Sequence, residues 1–167
     1  MLFWFAATSV AIVWVVFRSP AVDYRMVALG SLIALVETPF GMGPLQSLTG
    51  SVVAMIVVMA LTVGRRLVRR RYLGIPIGMF LHLVLGGAWT NANAFWWPFA
   101  GWSFGDDRSP IVAWGIWSFM LELIGIMVAL WLWNEFGLDD PDRRRRFWST
   151  GQLDRAFLRE RGARIDD

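Results

Sequence analysis

The chain contains no cysteine and no lysine, and its single histidine is His82. The missing cysteine excludes disulfides and thiolate metal ligands outright. With no lysine, all sixteen cationic side chains are arginine. The sequence has no internal repeat and no low-complexity tract. It also has no glycine-rich phosphate loop, nucleophile elbow or His-Glu-x-x-His motif.

What is present is apolar. Apolar residues make up 56% of 167 positions, with eleven tryptophans and twelve phenylalanines. A soluble domain of this size could not hide so much apolar surface. The long, nearly charge-free runs predict an all-α, polytopic membrane helix bundle. Five spans are expected, over about 2–17, 26–37, 45–63, 72–89 and 111–133. Residues 1–133 would form the bundle and 134–167 a cytoplasmic, arginine-rich helical tail. The first run lacks a basic leader and a small-residue cleavage site, so a retained helix is expected rather than a signal peptide. Pro39, Gly41, Gly43 and Pro44 break the chain after the second run, as a short loop or as a re-entrant hairpin.

Arginine sets the expected orientation. Two arginines follow the first span, five the third and eight the fifth, whereas the opposite loops hold Arg108 alone. The N-terminus is therefore expected outside and the tail inside.

The stretch 73–104 organises the chain. Gly74, Gly78, His82 and Gly86 are spaced four apart and form one ridge on a helix. Such a small-residue strip lets a neighbour approach closely. It would aim His82 into the bundle, and an ionisable group there is a functional-site hypothesis. Gly115, Ser118, Glu122 and Gly125 likewise share one face of the last span, and Ser47, Ser51 and Ala54 suit close packing on the third. After the ridge come Trp89, Phe95, Trp96, Trp97, Phe99, Trp102 and Phe104. They read as an interfacial aromatic belt, or as a platform for a lipid, a sugar or a partner. In the tail, Asp139-Asp140-Pro141-Asp142 reads as a helix start, with an Asp cap and Pro in the first turn. A second short helix, presenting Leu153 and Phe157, is expected from Ser149 or Thr150. Arg143, Arg144, Arg145 and Arg146 beside Phe147 and Trp148 suit anionic headgroups. Acidic residues interrupt this cluster, which argues against nucleic acid as a partner.

Glu37, Gln46, His82 and Glu122 are the polar side chains in or at the spans. Two carboxylates and an imidazole are the lower limit for zinc or manganese, which need three or four converging ligands. If the groups do not converge, His82 is a structural imidazole bonded to Glu122, Glu37 or a backbone carbonyl. Glu122 is then a carboxylic acid that bonds across helices.

Three segments, ALVETPFGMGPLQSLTGS, PIGMFLHLVLGGAWT and FWWPFAGWSF, resemble a bacterial family of membrane-bound metal-dependent hydrolases, especially its actinobacterial branch. The flanking VFRSPAVDYR and FGLDDP fit as well, so the resemblance covers most of the chain. It implies acidic metal ligands closing the second span, a Leu-His-Ser/Thr motif after them, and a later His-x-x-x-Asp. Glu37 keeps an acid at the first position. Ala34 stands where a second Asp is implied, Gln46 replaces the first His, and Gly86 replaces the Asp that should follow His82. Glu37 and His82, with Glu122 as a possible third, do not hold a catalytic metal securely.

The expectation is therefore a non-catalytic accessory or assembly subunit that carries no cofactor. Its partners would be membrane lipids and other integral membrane proteins. Trp96, Trp97, Trp102 and the four tail arginines are the contact candidates. The alternatives are a metal-dependent hydrolase of a lipid-linked or phosphorylated substrate, using Glu37, His82 and Glu122, and a lipid-binding protein.

Overall fold

The apolar run at the start of the chain forms helix α1, Leu2–Phe17. It stops where Arg18 takes a left-handed conformation (φ 42°) and returns its N–H to the Trp14 carbonyl at 2.8 Å. The next helix, α2, is Tyr24–Ile33, and the Asp23 side chain caps it by accepting the Arg25 N–H. After Ile33 the chain tightens into a 3-10 stretch, Ala34–Phe40, and a second 3-10 turn, Pro44–Gln46, follows. The proline- and glycine-rich break expected there is thus real. Helix α3, Leu48–Leu61, starts where the Ser47 hydroxyl accepts the Gly50 N–H at 3.0 Å. The arginine run is itself helical, as α4, Arg66–Tyr72. Helix α5 is Gly74–Leu85 and α6 is the single turn Ala92–Phe95. Helix α7 is Ile116–Glu135. The tail helix α8, Pro141–Thr150, starts as expected, with the Asp140 carboxylate accepting the Asp142 N–H at 2.9 Å. A computed structural model is the source of these coordinates, and it describes residues 1–19, 22–40, 43–99, 101 and 115–152. The described residues contain no strand, so the fold is all-α.

Several helices are shorter than the apolar runs that suggested them. The run 72–89 is helical over Gly74–Leu85, because Gly86 and then Gly87 (φ 67°) end it. Among the described residues one helix, Ile116–Glu135, is long and apolar enough to cross a membrane. Leu2–Phe17 and Leu48–Leu61 are apolar but shorter.

The expected glycine ridge is the principal packing device. A Cβ at Gly78 would overlap the Val27 carbonyl oxygen, and one at Gly30 would overlap the Ile75 carbonyl oxygen. Helices α2 and α5 therefore run backbone against backbone. Gly74 lies against Asp23, Met26 and Val27, while Gly78 lies against Val27, Gly30 and Ser31, so the two helices are parallel. Helices α1 and α7 form the second parallel pair. Gly125 meets the backbone of Phe3 and Trp4 at one end, and Trp14 meets Phe136 edge-on at the other, with ring centroids 5.4 Å apart. Helix α1 is antiparallel to α2, since Trp14, late in α1, meets Tyr24, early in α2, edge-on. In these contacts α1 and α7 point one way and α2 and α5 the other. A buried cluster of Val10, Val13, Trp14, Tyr24, Val27 and Phe136 fills the end of the bundle nearest the tail.

Candidate functional site

His82 sits on α5 one turn beyond Gly78 and is 1% exposed. Its ring stacks on Phe5 of α1, with centroids 4.1 Å apart and planes inclined by 29°. Neither ring nitrogen has a hydrogen-bond partner among the described residues. No bond to Glu122 or Glu37 is made; the polar group the ring faces is the backbone of Ser31 on α2, short of a well-formed hydrogen bond. The reason is geometric: the close α2–α5 packing fixes the depth and direction of His82, and the side chain it meets there is aromatic. Other buried polar atoms also lack partners among the described residues, namely Trp4 Nε1 and the hydroxyls of Thr8, Ser9 and Ser51.

Glu37 lies in the 3-10 stretch after α2. Its carboxylate accepts the Leu45 N–H at 2.9 Å and faces the Gln46 N–H. It packs against Gly43. The acid therefore closes its own loop and caps the turn Pro44–Gln46, where backbone donors would otherwise be free. Gln46, at the position where the hydrolase resemblance implies a histidine, is buried.

Glu122 faces inward, as its glycine-flanked face predicts. It accepts the backbone N–H groups of Phe3 and Trp4 at 3.3 Å each, and the Met1 ammonium lies 3.3 Å away. A carboxylate on α7 thus caps the first turn of α1. Free N–H groups and the positive end of the helix dipole favour an anion at that point.

The three candidate ligands consequently have three separate sets of neighbours. No group of three His, Cys, Asp or Glu that could hold a metal occurs among the described residues. As placed, Glu37, His82 and Glu122 do not form the donor set that zinc or manganese requires.

The strongest polar constellation lies at the other end of the bundle and is centred on Asp23, read from sequence as part of a brief polar turn. Asp23 is fully buried. Its Oδ2 is 3.3 Å from Arg25 Nη2 and 3.1 Å from Arg71 Nε. Its Oδ1 accepts the Arg25 N–H at 3.1 Å and Arg25 Nε at 3.3 Å. Arg25 reaches on to the tail, donating to the Trp148 carbonyl and, at 3.3 Å, to the Ser149 carbonyl. The Tyr24 N–H donates to the Gly151 carbonyl at 3.0 Å. One carboxylate therefore ties α2, the arginine helix α4 and the last turn of α8 together. Gly151 makes the approach possible, since its φ is 71° and a Cβ there would overlap the Asp23 carboxylate. The signal available in the sequence was an acid placed alone among arginines, one residue before the helical run that starts at Tyr24.

The aromatic segment after α5 is part exposed and part packed, with Phe95 and Trp97 half-buried. Trp89, Trp96 and Phe99 are exposed, and the Thr49 hydroxyl donates to the Trp97 carbonyl, tying the start of α3 to this segment. Trp102, Phe104, Leu153 and Phe157 lie outside the described residues. In the tail, Arg143 pairs with Asp140 at 3.4 Å, and Arg144, Arg145 and Arg146 are exposed on α8.

No family model, curated protein or solved structure matches the chain.

Proposed function

We propose that the protein is a non-catalytic, five-span inner-membrane subunit that assists the assembly of a larger membrane complex. Its N-terminus would lie outside and its tail in the cytoplasm. The observation that carries this reading is the use made of the ionisable groups. Glu122 caps α1, Glu37 closes its own loop, and Asp23 ties two helices to the tail. Each is a structural tie between backbone elements, and none shares a site with His82. The gathering of Arg25, Arg71 and the tail at one end supports the orientation.

Ample surface supports docking. Helix α3 exposes Val52, Val53 and Ile56, and α7 exposes Trp117, Phe119 and Met127. In a bilayer such faces meet lipid tails or a neighbouring helix equally well. The distinguishing experiment is affinity purification of the full chain in a mild detergent, with mass spectrometry of the eluate. The expected result is a stoichiometric set of integral membrane proteins. A solitary protein whose turnover of a lipid-linked or phosphorylated substrate disappears in a well-folded His82→Ala variant would contradict the reading.

A further inference from the structure

A groove of about 510 Å³ runs between α1, α2 and α7 and reaches the tail helix. Its walls include Ala6, Val10, Ala28, Leu29 and Ala129, with Trp148 at the tail end. Arg25 is the charged residue in the lining, and its guanidinium is already taken by Asp23 and by the Trp148 and Ser149 carbonyls. The walls therefore offer almost no free hydrogen-bonding group. An extended peptide in this groove would leave its own N–H and C=O groups unpaired. A helix is about 10 Å across, so the volume would hold little more than one turn of it. A flexible hydrocarbon chain suffers from neither defect, and the volume lies within the range of about 300–1,000 Å³ usual for small-molecule sites.

The tail end adds charge. Arg144 and Arg145 lie four and three residues before Trp148, on the same side of α8. Both are exposed and have no carboxylate partner among the described residues. We infer that the groove holds an acyl chain of one anionic phospholipid, with its phosphate met by Arg144 and Arg145 at the cytoplasmic face. This rests on the membrane placement proposed above and goes beyond the docking role.

The test uses the full chain in vesicles of equal parts phosphatidylglycerol and phosphatidylcholine. After an alkaline wash the protein is extracted in mild detergent and its retained lipid is counted by native mass spectrometry. One phosphatidylglycerol per chain is expected, in clear preference to phosphatidylcholine. Ala129→Trp, which fills the groove, should lower retention about ten-fold, since several buried methylenes are lost. Leu29→Trp does the same from the half-exposed rim, so a folding failure in one variant leaves the other informative. Arg144→Gln and Arg145→Gln should each reduce the preference about five-fold. Equal retention of the two lipids, or retention unaffected by both tryptophans, overturns the groove proposal alone. So does a second copy of the chain held in place of lipid. Release of the protein by the alkaline wash overturns the membrane placement as well.

Discussion

The two ends of the bundle treat buried polar groups in opposite ways. Around Asp23 each partner is accounted for: a fully buried carboxylate meets two arginines and a backbone N–H, and Arg25 passes the connection to the tail carbonyls. Around His82 the company is poorer: the imidazole nitrogens make no well-formed hydrogen bond among the described residues and face the Ser31 backbone and the Phe5 ring. A satisfied network fixes geometry, whereas an unpartnered group in low dielectric costs stability. The difference teaches where the fold is held. The charged end locks α2, α4 and α8 together. The His82 region is ordered by glycine contact and ring stacking, and its polar atoms contribute little.

The largest effect should come from breaking the charged end. Asp23→Leu leaves Arg25 and the half-exposed Arg71 without their shared carboxylate, and the loss of these charge-assisted bonds, with the freed arginines screened by solvent, costs about 2–3 kcal/mol. Thermal unfolding in detergent should record a fall in Tm of about 7 °C, at 2–4 °C per kcal/mol for a chain of this size. The tail should also detach, so trypsin should cut within Arg143–Arg146 about a hundred-fold faster, in proportion to the opened population. Unchanged cleavage would show that the tail is held by something other than this network.

Glu122→Gln probes a contact of intermediate strength. The amide oxygen still accepts one N–H from the first turn of α1, but the charge facing the helix dipole is lost. A cost of about 1 kcal/mol is expected, seen as a drop in Tm of about 3 °C. A far larger loss, accompanied by loss of a bound metal, would make Glu122 a ligand instead of a cap.

Much of this architecture was legible in the chain. The run Leu2–Phe17 is helical to the residue, and Asp140 with Pro141 starts the tail helix. The four-residue spacing of Gly74, Gly78 and His82 placed all three on the buried face. Glu122 and Gly125 face inward as their spacing suggests. These features are local, set by periodicity and capping. The rest depends on partners distant in sequence. Asp23 reads as a turn residue because Arg71 and the Trp148 carbonyl that Arg25 reaches lie far along the chain. The N–H groups that Glu122 caps belong to a helix more than a hundred residues away. Spacing could say that His82 faces inward, but not that Phe5 would meet it in place of a carboxylate.

The smallest effect, and the most direct test, belongs to His82. If the imidazole contributes packing alone, a ring of similar shape without polar atoms should serve as well. Replacing an unpartnered polar group by an apolar one of like shape is close to neutral or stabilising. The measurement is the Tm of purified His82→Phe beside the wild-type protein, with the metal content of both determined. The account predicts a Tm within about 3 °C of wild type, or higher, the extra ring volume costing no more than about 1 kcal/mol. A fall in Tm of about 10 °C, with the loss of one equivalent of zinc or manganese that the wild type carries, would contradict it.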